Sequence, residues 1–119
     1  MELTQKQIAE AFSTGNFEET YPYLSENIEW RVIKNFERKG KKEAIEQCEK
    51  TAKYFASITT DFKQLDVIES SNKVVITGTA ELSKNGKRIE FISACDVYDF
   101  NDETQLQKIT SYCLVEKGE

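Results

Sequence analysis

Residues 89–100 read IEFISACDVYDF, and this stretch gives the clearest structural signal in the chain. Successive side chains of a β-strand point to opposite faces of the sheet, so residues of equal parity share a face. One face of this stretch then carries Ile92, Ala94, Asp96, Tyr98 and Phe100. That face is apolar except for Asp96, which predicts a long strand that packs on the core and carries one carboxyl group inward.

Asp96 is the principal candidate for a functional residue. A carboxyl group flanked by Ala94 and Tyr98 on a core-facing row is costly to ionise, because apolar surroundings disfavour the charged form. We therefore expect Asp96 to be protonated or hydrogen-bonded. A protonated carboxyl can donate a hydrogen bond to a ligand oxygen near neutral pH, which an exposed aspartate cannot do.

The bulk composition predicts one globular domain over residues 1–119 and disfavours several classes of partner. The chain is 119 residues long, which is enough for one core and too short for two. Its net charge of −5 disfavours binding to nucleic acid or to an anionic membrane. No apolar segment approaches membrane-spanning length and the N-terminus lacks an apolar signal core, so we expect a cytoplasmic protein.

The chain contains no histidine. This removes the commonest general base and the usual ligand of zinc and non-haem iron, so neither a cofactor nor a metal is expected. The three cysteines lack CxxC spacing and fall in apolar patterns, which predicts small buried side chains at Cys48, Cys95 and Cys113.

Hydrophobic periodicity predicts helices over 3–14, 17–24 and 41–57, and strands over 28–33, 61–69, 73–83, 87–100 and 106–115. Residues 25–27 are predicted to form a turn, and Asn85-Gly86 is a strong hairpin signal. Helices grouped on one face of an antiparallel sheet make an α+β fold. A long twisted sheet that curls around a helix leaves a conical hollow, and ligand pockets form in such hollows.

Three segments in this order resemble the NTF2-like superfamily, which includes the SnoaL-like polyketide cyclases and ketosteroid isomerase. They are IAEAFSTGNFEETYPYLSENIEW, GKKEAI and ISACDVYDFN…KITSY. The resemblance implies a conical half-barrel in which three N-terminal helices pack on a strongly curved, mostly antiparallel sheet. It also implies a homodimer formed through the outer face of the sheet, where Phe91, Cys95 and Val97 fall. The superfamily contains enzymes, transport factors and binding domains, so the fold alone does not imply one function.

The resemblance carries over only part of the known catalytic machinery. Asp96 falls where ketosteroid isomerase carries the protonated aspartate of its oxyanion hole. The tyrosine partner of that aspartate falls at Ile8. The general base falls at Arg31 or Val32, and we favour Val32 because that register keeps the apolar residues of the first strand inward. The acid of SnoaL-type cyclases aligns with Leu114, so both known bases are missing and enzymatic activity stays an open question.

The predicted pocket combines Asp96, as hydrogen-bonding anchor or catalytic acid, with eight further side chains: Trp30, Tyr98, Tyr112, Phe12, Val32, Tyr54, Phe55 and Leu114. The leading hypothesis is a small, largely apolar ligand that carries a carbonyl group or is planar. An enzyme with this pocket would be an isomerase or cyclase that uses Asp96 as acid and Glu10 or water as base. The rival hypothesis is a non-catalytic homodimeric interaction module whose cone is filled by its own side chains.

Overall fold

A computed structural model describes residues 2–117, which form a six-stranded sheet with helices on its inner face. The helices are α1 (Gln5–Ser13), a 3₁₀ helix (Phe17–Tyr23) and α2 (Lys41–Ala56). The strands are β1 (Leu24–Val32), β2 (Phe36–Lys39), β3 (Thr59–Ser70), β4 (Lys73–Lys84), β5 (Lys87–Phe100) and β6 (Leu106–Lys117). Within residues 2–117, every helix is too short or too polar to cross a lipid bilayer.

The sheet has the order β2-β1-β6-β5-β4-β3, and all neighbouring pairs are antiparallel except β1 and β6. Helix α2 contacts β1 and β2 near one edge and β3 at the other edge, so the sheet curves around the helices. The edge strands β2 and β3 do not pair with each other, and the half-barrel stays open. The predicted α+β class and the NTF2-like architecture are confirmed.

Helix α1 is fixed at both ends and places its last residue above the sheet. Its first turn has a capping box, in which Thr4 Oγ1 accepts from Gln7 N and Gln7 Oε1 accepts from Thr4 N. Gly15 follows the helix with a φ of +85°, a conformation that favours glycine. Because α1 packs on β4 and β5, its C-terminal residue Ser13 faces the middle of the sheet.

Aromatic side chains fill the narrow end of the cone. The Phe12 ring packs edge-on against Trp30 and Tyr98, with centroid distances of 4.9 and 6.1 Å. Phe17 packs on Phe12 from the 3₁₀ helix, with ring centroids 4.9 Å apart. All four are buried, so this end of the cone is solid core.

Two local predictions near the N-terminus are wrong. Residues 25–27, predicted as a turn, belong to β1, and the short strand β2 that pairs with β1 was not predicted at all. Strand β2 has only four residues, FERK, and its single strongly apolar residue Phe36 produces no readable alternation. The second helix is confirmed as a short element but is 3₁₀ in type, and it contains Pro22.

The phase of β6 differs from the predicted one. Leu106 pairs with Phe100 and Lys108 pairs with Asp99, so Gln107 is an extra residue in β6. A bulge of one residue exchanges the two faces of a strand beyond it. Residues 109, 111 and 113 therefore face inward, while Tyr112 and Leu114 face outward.

Candidate functional site

The wide end of the cone contains a cavity because a row of small side chains crosses the sheet there. Gly78 on β4 pairs with Ala94 on β5, and Ala94 pairs with Cys113 on β6. These three residues leave a hollow between the sheet and the end of α1. The cavity has a volume of about 170 Å³. Its remaining walls are mostly apolar and include Phe55, Phe62, Ile76, Ala80 and Ile92.

Asp96 lines this cavity one row deeper than Ala94, and hydroxyl groups surround its carboxyl group. Ser13 Oγ on α1 donates to Asp96 Oδ2 at 3.2 Å. Ser13 Oγ also lies 2.5 Å from the hydroxyl oxygen of Tyr98. Ser13 Oγ therefore contacts both the phenol and the carboxyl, and Tyr98 is itself a hydrogen-bond partner of Asp96. Ser111 is the direct cross-strand partner of Asp96 on β6.

Burial and hydrogen bonding act on the pKa of Asp96 in opposite directions. Burial raises the pKa of the Asp96 carboxyl above its usual range, and the hydrogen bonds from Ser111, Ser13 and Tyr98 oppose this rise without cancelling it. Within residues 2–117 no positively charged side chain forms a salt bridge with Asp96. The expectation that Asp96 is hydrogen-bonded is confirmed, and the direction of its pKa shift agrees with a protonated state.

The surroundings of Asp96 also shift the pKa values of two neighbouring groups. Burial raises the pKa of Tyr98 well above its usual value, and an ionised Asp96 would raise it further. The same two causes act on the pKa of the Cys113 thiol at the cavity wall. Both groups therefore stay protonated near neutral pH.

The structure divides the predicted pocket residues into three groups. Asp96 and Phe55 line the cavity. Phe12, Trp30 and Tyr98 are inward but belong to the packed core, and Val32 is half-buried against that core. The inward register of Trp30 and Val32 is confirmed, since they pair with Ile109 and Ser111 on the inner face of β6.

Three of the predicted wall residues lie outside the cavity. Tyr112 and Leu114 are 51% and 75% exposed on the outer face of the sheet, because the bulge at Gln107 inverts the phase of β6. Tyr54 is 45% exposed on α2 and is not among the residues that line the cavity. The prediction that Tyr112 and Leu114 face inward is wrong. Cys113 occupies the inward position instead.

The positions that align with catalytic residues of the resembling proteins hold different groups in this structure. Ile8, which falls at the tyrosine position, is fully buried in the core. The phenol near Asp96 comes from Tyr98, two residues along the same strand, and both groups contact Ser13. Glu10, the candidate base, accepts a hydrogen bond from Gln64 Nε2 at 3.0 Å, which joins α1 to β3 beside the cavity.

Sequence reasoning missed several cavity residues, chiefly Ser13, Phe62 and Gly78. Ser13 ends a helix, where a serine usually signals only a boundary. Gly78 carried a usable signal, because a glycine inside a strand marks a bulge or a close approach of another backbone. A Cβ atom at Gly78 would lie 2.6 Å from the carbonyl oxygen of Lys63 on β3.

The open α+β half-barrel places the protein in the class of cone-shaped, NTF2-like domains. Within that class the chain belongs to the SnoaL-like domain family, whose model matches residues 5–111. The family resemblance read from the sequence is thereby confirmed. No curated protein matches the chain in sequence.

Solved structures of similar proteins agree on the fold. An NTF2-like protein of unknown function from Cytophaga hutchinsonii is 34% identical with a TM-score of 0.81, and the match covers 90% of this chain and 93% of that one. A LEH-like epoxide hydrolase from M. tuberculosis is 13% identical with a TM-score of 0.70, covering 92% and 82%. A proposed SnoaL-like polyketide cyclase from Shewanella denitrificans is 15% identical with a TM-score of 0.72, covering 92% and 90%.

Proposed function

We propose that this protein binds a small, neutral, largely apolar ligand in the cavity and holds a ligand oxygen with the protonated carboxyl of Asp96. The observation that carries this proposal is a partly buried carboxyl group at the wall of an apolar cavity, surrounded by hydroxyl groups rather than by cations. One carboxyl oxygen accepts from Ser13. A neutral carboxyl keeps one proton, which it can donate to a carbonyl oxygen in the cavity.

The apolar walls supply the remaining affinity by burying the hydrocarbon part of the ligand. The same hydrogen bond from Asp96 would stabilise an enolate oxygen, so isomerase-like or cyclase-like acid chemistry is compatible with this site. Glu10 is held by Gln64 beside the cavity and is the nearest candidate for a base. We propose binding as the function and assign no reaction.

Ligand binding is expected to depend on pH through Asp96. A neutral ketone should bind best where Asp96 is protonated, and its affinity should fall as the pH rises through the elevated pKa of this carboxyl. In Asp96→Asn the amide donates at every pH, so binding should persist without pH dependence. In Asp96→Leu the donor is lost, and we expect about tenfold weaker binding. The affinities of all three proteins are measured by calorimetric titration with ketones of one to four rings, from pH 4 to 9.

Two results would contradict the proposal. One is that no ketone of any size binds to the wild type. The other is that wild type and Asp96→Asn bind with the same pH profile. Because the Asn variant keeps the shape of the site and its hydrogen-bond acceptor, it serves as the control for folding.

A second proposal concerns assembly, and the outer face of the sheet supports it. This face presents large exposed apolar side chains, Leu65, Ile68, Tyr112 and Leu114. Half-buried Phe91, Cys95 and Val97 of β5 continue it. Contiguous apolar surface of this kind marks interaction sites. We propose that two copies pair through this face, as the rival hypothesis of an interaction module also requires.

The substitution Leu114→Asp should disrupt such a dimer. Leu114 is 75% exposed in a single chain, so a charged residue there costs the monomer little but would be desolvated in a dimer. Light scattering after size exclusion should show a dimer for the wild type at micromolar concentration and a monomer for the variant. Ala52→Asp on the exposed side of α2 adds the same charge elsewhere and should stay dimeric. A monomeric wild type would refute the assembly.

A further inference from the structure

We infer that the cavity selects monocyclic neutral carbonyl compounds, with one six-membered ring buried and its oxygen on Asp96. This inference deepens the proposed function and rests on it. It concerns the size and charge of the ligand, which follow from how the cone is divided between packed core and hollow.

The volume sets the upper limit on the buried ring system. A cavity of about 150 Å³ lined by aliphatic and aromatic side chains holds one benzene ring. The cavity here measures about 170 Å³. It therefore accepts one ring and its oxygen, and it lies below the ~300–1,000 Å³ of pockets for drug-sized ligands.

The narrow end of the cone cannot extend this volume. Directly below Asp96 the hydroxyl of Tyr98 is bonded to Ser13, and the Tyr98 ring packs on Phe12. Phe12 in turn packs on Trp30. Within residues 2–117 no buried side-chain polar atom lacks a hydrogen-bond partner, so the polar groups at this end need no ligand. A longer ligand would have to displace the aromatic core.

Two phenylalanines close the cavity toward the helices and the edge of the sheet. Phe55 on α2 and Phe62 on β3 pack edge to face with ring centroids 5.4 Å apart. Both line the cavity, and Phe55 also lies against the position of Gly15. Gly78 and Ala94 line the same cavity, and their small size leaves the slot in which a flat or chair-shaped ring would lie.

The charges around the slot favour a neutral ligand. Asp96 is the carboxyl group on the wall, and Glu10 lies beside the cavity bonded to Gln64. Lys63 is the one cationic residue among the described cavity-lining residues. Its carbonyl oxygen lies close to Gly78, while its side chain alternates with those of Phe62 and Gln64 along β3 and so falls on the outer face. An anionic ligand would meet carboxyl groups without a compensating cation and would pay its desolvation cost unaided.

A series of ketones of increasing size tests the inference. Cyclohexanone, 2-decalone and a four-ring steroid ketone are titrated into the wild type by calorimetry at a pH below the pKa of Asp96. We expect binding of cyclohexanone and at least tenfold weaker binding of the larger two. Phe62→Ala enlarges the slot and should restore binding of 2-decalone. Ala94→Val fills the slot and should abolish binding of cyclohexanone.

The control is Ser70→Ala, which shortens an exposed side chain of the same strand as Phe62 and should leave the ligand series unchanged. If 2-decalone or the steroid binds the wild type as tightly as cyclohexanone, the size limit is refuted while the proposed binding function stands. If a cyclic carboxylate binds more tightly than cyclohexanone, the charge preference is refuted. If none of the ketones binds the wild type or any variant, the proposed function itself fails.

Discussion

Replacing Trp30 by alanine is expected to lower the free energy of unfolding by about 3–5 kcal/mol, the usual cost of truncating a large buried aromatic residue. Trp30 is 5% exposed, and its indole packs on Phe12 at 4.9 Å and on Phe36 at 5.2 Å between ring centroids. Its removal leaves a cavity that rigid strands on either side cannot close. For a small domain this is a large fraction of the total stability. Urea denaturation followed by circular dichroism measures the loss.

Tyr54→Ala is the matched control, because it removes an aromatic ring that is 45% exposed and lies outside the core. We expect this variant to lose less than about 1 kcal/mol. Equal losses in the two variants would show that the narrow end of the cone is not the centre of stability.

The substitution Gly78→Ala is expected to cost about 1–3 kcal/mol, the range for adding a methyl group to a tightly packed site. The added Cβ would lie 2.6 Å from the carbonyl oxygen of Lys63, and this neighbour is backbone that cannot rotate away. Strand β3 must therefore shift, and Phe62 on the same strand shifts with it. The variant should lose both stability in urea and affinity for cyclohexanone.

Lys84→Ala is the control, because it truncates an exposed side chain at the end of the same strand, and it should remain within about 0.5 kcal/mol of the wild type. A Gly78→Ala protein as stable as the wild type would mean that β3 and β4 separate easily at this point, contrary to their close approach in the structure.

Most of the fold could be predicted because its signals are local. The alternation over residues 89–100, the amphipathic pattern of α2 and the Asn85-Gly86 hairpin each specify one element without reference to the rest. The short strand β2 could not be found in this way, because four residues with one apolar side chain are consistent with a loop. Its existence depends on pairing with β1, which is a tertiary interaction.

The candidate site was harder to predict, because its composition depends on register. The inward orientation of Asp96 could be predicted from the alternation of side chains along its own strand. Tyr112 and Leu114 were misplaced because the bulge at Gln107 arises from pairing with β5 and is invisible in the apolar pattern of β6 alone. Ser13 could not be assigned either, since its role depends on where α1 crosses the sheet.

One end of the cone is packed core and the other end is a cavity. The residues that stabilise the fold are therefore largely separate from those that would contact a ligand. Ala80, Ile92 and Ala94 line the cavity, so substitutions at these positions would change its shape. The aromatic cluster around Trp30 would still stabilise the fold. Substitutions in the cavity wall would then change which molecule fits without loss of the packed scaffold.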